Sequence, residues 1–199
     1  MKPIALFSVL ILVAISMAMA QDKPAAKLTA AKNPQVVEST TVDQVEGTLP
    51  LDELAWMVGR WVDKDGDSTI TTTCSWTTNR KFLKRSFKIK AGRQVTLDGT
   101  QFVGWDPIAS QIRSWTFDSE GGFGEGRWIR DGSRWLVKTS FVLPDGRRAS
   151  ALNVITYVDP NTLRWQSTNR EIGGDMQPNI PEVTVVREKT AGAGKEVVR

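Results

Sequence analysis

From Arg60 onward the chain alternates apolar and polar residues in short runs broken by turn residues, the period of half-buried strands. The runs are Arg60 to Lys64, Ser68 to Thr77, Phe82 to Lys90, Gln94 to Trp105 and Gln111 to Asp118. They continue through Phe123 to Arg130, Arg134 to Leu143, Arg147 to Val158, Leu163 to Asn169 and Glu182 to Arg187. Between them stand Asp65-Gly66, Ala91-Gly92, Asp106-Pro107, Gly121-Gly122, Asp131-Gly132, Pro144-Asp145-Gly146 and Asp159-Pro160-Asn161, all turn-forming strings. Asp98-Gly99 is read as a bulge, and a second bulge is expected near Ile112, which is out of phase with Trp115 and Phe117. The one helical signal is Leu51 to Met57, where Asp52 and Glu53 suit a helix start and Leu51, Leu54 and Met57 share a face before Gly59. No segment is long and helical enough for a parallel crossover. The prediction is therefore all-β: an antiparallel up-and-down β-barrel of about ten strands with one short N-terminal helical turn. Closure removes the edges that an open sheet of this size would expose.

The rest of the chain divides around that unit. Residues 1–20 read as a signal peptide, with Lys2, an apolar run from Ile4 to Ile15, and Ala18-Met19-Ala20 before Gln21. The expected mature N-terminus is Gln21, and the expected location is periplasmic or extracellular. Residues 21–50 lack aromatic residues and periodicity and read as a flexible linker. Residues 51–187 form the barrel, and residues 188–199 read as a disordered tail.

Charge and composition narrow the chemistry. Without Lys2 the chain holds 25 Lys and Arg against 22 Asp and Glu, a net of +3, too small to argue for nucleic acid. Arg80, Lys81, Lys84, Arg85, Lys88 and Lys90 cluster, but along a strand, and read as a solvated face. The single Cys74 cannot form an internal disulfide and reads as a small buried hydrophobe. The chain has no His, so His-based triads, dyads, metal sites and haem ligation are excluded. No cofactor or transition metal is expected.

Gly59-Arg60-Trp61, at the head of the first strand and just after the helical turn, resembles the G-x-W signature of lipocalins and related calycins. That resemblance implies a Trp packed under one barrel end, covered by an Arg late in the chain. Arg187 in Val183 to Arg187 is suitably placed to stack on Trp61. Gly104-Trp105-Asp106-Pro107 and the string Trp115 to Gly126 resemble a lipocalin-like bacterial domain that in some chains follows a SnoaL-like domain. Here the stretch before Leu51 is too short for such a partner domain. Nitrobindin-like haem barrels are a further calycin relative, but they ligate iron through a His that this chain lacks.

Several constellations are weighed for function. Trp105, Trp115, Trp128, Trp135 and Trp165 fall one per strand and either line an apolar ligand cavity or fill a core. Arg127, Arg164 and Arg170 on nearby strands are candidates for a ligand carboxylate, with Glu125 and Glu171 as competing internal partners. Together Trp105, Trp115, Trp128, Trp135, Trp165, Arg127 and Arg164 form the candidate ligand-binding set. Asp118, Glu120 and Glu125 bracket a glycine-rich turn and offer either calcium ligands, an acid/base pair or a solvated hairpin tip. Asp63, Asp65 and Asp67 lack the later ligand positions of an EF-hand and read as an Asp-Gly hairpin. Gly122 to Gly126 sits between strands and is too short for a cofactor loop, and Ser140, Ser150 and Ser167 have no base near them in sequence. The leading expectation is a secreted module binding a small apolar or amphipathic ligand. The alternatives are a filled structural or interaction barrel, and an enzyme using carboxylates at the glycine-rich turn.

Overall fold

The computed structural model describes residues 50–189. The expected signal peptide, nearly all of the linker and the tail beyond Lys189 lie outside the described residues. Within them, a short 3-10 helix, Pro50–Met57, precedes eleven antiparallel strands. Leu51, Leu54 and Met57 are all buried, and their spacing of three matches the three residues per turn of a 3-10 helix. That spacing puts all three on one face, against the barrel end.

The strands are β1 (Gly59–Asp65), β2 (Ser68–Trp76), β3 (Phe82–Ala91), β4 (Gln94–Asp106), β5 (Gln111–Asp118) and β6 (Phe123–Asp131). They continue as β7 (Arg134–Val142), β8 (Arg148–Asp159), β9 (Thr162–Ile172), β10 (Asp175–Gln177) and β11 (Ile180–Arg187). β1 through β9 pair serially, β9 then pairs β11, and β11 returns to β1. Ten strands thus close an up-and-down barrel, as the sequence pattern predicts. β10, which alternation alone does not reveal, is a short flap on β9 formed across Gly173-Gly174.

Closure is narrow. Only Trp61↔Arg187 and Val62↔Val186 pair in register between β1 and β11. Arg187 reinforces that seam from above. Its Nε donates to Pro160 O at 2.7 Å, Nη2 donates to Trp56 O at 2.8 Å, and Nη1 donates to Val58 O. Its guanidinium carbon lies 4.2 Å from the Trp61 ring centroid, and Trp61 itself is buried. Gly59 makes room for this arrangement. Its φ is +129°, and a Cβ there would occupy the position of Arg187 Nη1.

Two sequence expectations about bulges change. β5 pairs regularly on both sides: Ile112, Ser114 and Thr116 belong to the buried row, and Trp115 and Phe117 to the outer row. The apparent phase slip arose because the inner row of β5 is partly polar. Gly99 pairs regularly with Phe87 and Asp118, and the register shift falls instead between Ile89 and Lys90. Gly99 is needed for space: Phe117 O lies 2.5 Å from the position of an added Cβ, and the Phe87 ring covers the same spot.

Most of the core fills the end of the barrel under the helix. Leu54, Leu83, Val103, Ile112, Trp128, Trp135 and Leu163 are among its buried members. A separate cluster of Phe141, Leu143, Ala149, Ala151 and Ile172 packs elsewhere along the wall.

Candidate functional site

The lumen is not filled along its whole length. Beyond the packed end lies a cavity of about 80 Å³. Apolar side chains on its wall include Phe87, Trp128, Val137, Phe141, Ile155, Trp165 and Ile180, while Thr72, Gln101, Thr116, Thr139, Asn153 and Ser167 supply polar groups. A smaller chamber of about 30 Å³ reaches toward Met57, Trp61, Cys74 and Val185. Thr72, Arg85, Ile155 and Trp165 border both spaces.

Arg85 is therefore at the waist of the lumen. The sequence reading put it on a solvated face with the neighbouring lysines, and the structure corrects this. β3 alternates, so Leu83, Arg85, Phe87 and Ile89 share the inner row, while Lys84, Lys88 and Lys90 are exposed outside. Arg85 Nη1 donates to Gln101 Oε1 at 2.6 Å. Gln101 Nε2 donates to Thr116 Oγ1 at 3.1 Å and to Ser114 Oγ at 3.4 Å. Trp128 Nε1 donates to the same Ser114 Oγ at 3.0 Å. This network runs across β3 to β6 and fixes which way the Gln101 amide faces. Arg85 Nε is buried and has no hydrogen-bond partner among the described residues. Among the described residues no Asp or Glu lines either chamber. Burial without a counter-charge pulls the guanidinium below its usual pKa, with the nearby Cys74 opposing weakly.

The glycine-rich string has a physical role here. Gly124 and Gly126 belong to the inner row of β6, opposite Phe141 and Thr139. A Cβ on Gly126 would come within 2.6 Å of Ser114 Oγ and break the polar network. A Cβ on Gly124 would collide with Phe141 and Ser140. The glycines thus let a ring and a hydrogen-bonded layer occupy the wall.

The candidate ligand-binding residues separate by face. Trp128 and Trp165 line the cavity. Trp135 is buried behind it, edge-on to Trp128 with ring centroids 6.2 Å apart. Trp105 is exposed, and Trp115 lies outside under Arg113, whose guanidinium carbon is 5.7 Å from its centroid. Arg127 is exposed, next to Lys138 and Arg113 in register. Arg164 is likewise on the outer face, where Nη1 donates to Glu182 Oε1 at 3.1 Å. Adjacent residues on a strand face opposite ways, so Arg164 and Trp165 cannot share one site.

Arg170 differs from those two arginines. β9 turns Leu163, Trp165 and Ser167 inward, then slips against β8, with Asn169 at φ +49°. The slip changes the parity, so Arg170 lines the cavity, where its Nη1 donates to Pro178 O at 2.7 Å. Burial lowers its pKa as well. A bulge re-aiming one side chain is a recurrent device, and Asn tolerates the left-handed backbone it requires.

The acidic candidates do not converge. Asp118 Oδ1 accepts from the backbone N–H groups of Glu120 at 3.0 Å and Gly122 at 2.7 Å, so it builds the turn. Glu120 is exposed, and Glu125 pairs with Arg113 on the outer face. Asp106 does for its own turn what Asp118 does for the other. It accepts from Ile108 and Ala109 N–H groups at 3.0 and 3.1 Å, and these bonds together with Arg113 hold its carboxyl below the usual range. Asp63 is raised instead, mainly by burial and next by the charge of Asp65. Among the described residues no cluster of three or more Cys, Asp or Glu side chains forms a metal-ligand group.

Cys74 is buried, and burial pushes its thiol up against the weaker opposing influence of Arg85 and Arg187. A raised pKa leaves little thiolate near neutral pH. Alkylation by iodoacetamide, followed by mass spectrometry, is expected to be far slower in the native protein than in denaturant. Equal rates would show that the lower chamber is open to reagents.

Neither protein-family models nor the curated proteins give a match to this chain.

Proposed function

We infer that this chain is an exported, lipocalin-like module whose barrel binds a small amphipathic molecule. The observation that carries the reading is the cavity left in the lumen, where aromatic rings and hydrogen-bonding groups face one shared space. A barrel built only to be filled would extend the packing found under the helix through its whole length. The G-x-W start with Arg187 over Trp61 supports the lipocalin-like part of the proposal. The signal-peptide pattern in residues 1–20 supports export.

Native mass spectrometry of the protein from its own source is expected to reveal a retained small molecule. Because Trp128 and Trp165 line the cavity and Trp105 and Trp115 do not, occupancy has an optical signature. Adding the extracted molecule to emptied protein is expected to change the tryptophan emission. That change should shrink in Trp128→Phe and Trp165→Phe and persist in Trp105→Phe and Trp115→Phe. A purified protein with no retained molecule, and with emission indifferent to extracts of its source, would overturn the proposal.

A further inference from the structure

We propose that Arg85 is an anion anchor and that the luminal ligand is a compact carboxylate. The inference rests on the luminal-binding reading above and specifies the chemistry of that ligand. A guanidinium carries five N–H donors and is charged under all ordinary conditions. The one hydrogen bond found for Arg85 goes from Nη1 to Gln101 Oε1, and Nε is buried without a partner. Among the described residues, the surrounding wall offers no carboxylate to neutralise it. The other arginine of the lumen, Arg170, adds charge of the same sign. A partly buried cation with a buried, unpartnered N–H is costly for a fold that gains nothing from it. On the outer face of this same barrel Arg113 has both Asp106 and Glu125 as partners, and Arg164 has Glu182. In the lumen, among the described residues, neither Arg85 nor Arg170 has a carboxylate partner.

Gln101 acts as a positioning residue. Its amide nitrogen is committed to Ser114 and Thr116, so its oxygen must face Arg85 and hold one edge of the guanidinium. The remaining edge suits a planar, two-oxygen acceptor. Trp165 and Phe87 line the same cavity and offer surface to an apolar body attached to that group.

The test uses the full mature chain and matched pairs of probes: naphthoate with naphthamide, and octanoate with octanamide. Each is titrated calorimetrically into the wild-type protein, Arg85→Gln and Arg85→Lys. The acids are expected to bind the wild type on the order of 10- to 100-fold more tightly than their amides. Arg85→Gln should lower the acid to the level of its amide while leaving the amide little changed. Arg85→Lys should restore only part of the preference, because a point charge lacks the fork. In wild-type protein, nitrogen NMR of the arginine side chains is expected to show the Arg85 Nε resonance moving with the acids and not with the amides, a readout independent of how any variant folds. Amides that bind as tightly as acids would overturn the anchor and leave the luminal reading standing. Sodium chloride moving the same resonance, with no further change on adding acid, would also overturn it, since the site would then hold only an inorganic ion. If none of the probes binds, the luminal reading fails and the anchor falls with it.

Discussion

Trp61→Ala is expected to destabilise the barrel by about 3–5 kcal/mol, the cost of removing a large buried ring from a packed end. Trp61 is held on several sides at once. Its Nε1 donates to Met57 O at 2.8 Å, Trp56 meets it edge-on with centroids 6.4 Å apart, and Arg187 covers its face. The mutation therefore removes core volume and loosens the 3-10 helix that plugs the barrel. Arg187→Ala is expected to cost about 2–4 kcal/mol, more than stacking alone would give, because three backbone carbonyls lose a charged donor. Those carbonyls belong to Trp56, Val58 and Pro160, so the side chain ties the helix, the start of β1 and the β8–β9 turn together. Urea titrations followed by far-ultraviolet circular dichroism measure both losses. In the double mutant the losses should fall short of their sum by roughly 1 kcal/mol, since the residues touch. Strict additivity would mean that the stack contributes nothing to closure.

Gly124→Ala is expected to cost about 2–4 kcal/mol, although it adds only a methyl group. The added carbon would meet Phe141 Cδ2 and Ser140 O, and would lie 2.9 Å from Phe141 Cα. Two of these are backbone atoms of the paired strand β7, so relief requires β6 and β7 to part rather than a side chain to rotate. The same titration measures it. A neutral Gly124→Ala would show that β6 and β7 can separate there without penalty, and that the close approach of Phe141 is not part of the wall's stability.

Much of the architecture was legible along the chain. Ten of the eleven strands appear as alternating runs bounded by Gly, Asp and Pro turns, because a half-buried strand imposes a period of two on its own sequence. The helix plug was legible from Leu51, Leu54 and Met57 for the same kind of reason. The strings around Asp106 and Asp118 stood out in the sequence, and the structure shows that both carboxylates hold turn backbone. β10 was missed since three residues on an edge, with no buried apolar row, leave no period to read.

The candidate site was only partly legible. Trp128 and Trp165 were found because large rings are conspicuous, and Arg170 was considered for its charge. Arg85 was missed because it stands among lysines and looks like one of them. Counting parity from Phe87 and Ile89 would have placed it inward, yet a charge in the inner row contradicts the usual partition of polar residues, so the pattern argued against itself. Arg127 and Arg164 were grouped with Trp128 and Trp165 by proximity in sequence, which in a strand separates neighbours rather than joining them.

The resemblance of Gly59-Arg60-Trp61 to a lipocalin start implied the end plugged over Trp61. By itself, the sequence determined the class of the fold, the order of its strands and the exclusion of His-dependent chemistry. Those follow from local periods, turn residues and composition, which need no partner to be read. Only the tertiary structure decided that a cavity remains in the lumen, that Gly124 and Gly126 make space for Phe141 and the Ser114–Gln101 layer, and that Arg85 and Arg170 face the cavity. Each of these depends on register between strands. In β9 it depends further on a slip near Asn169 that reverses which side of the sheet the next residue occupies, so one backbone irregularity turns a surface arginine into a luminal one.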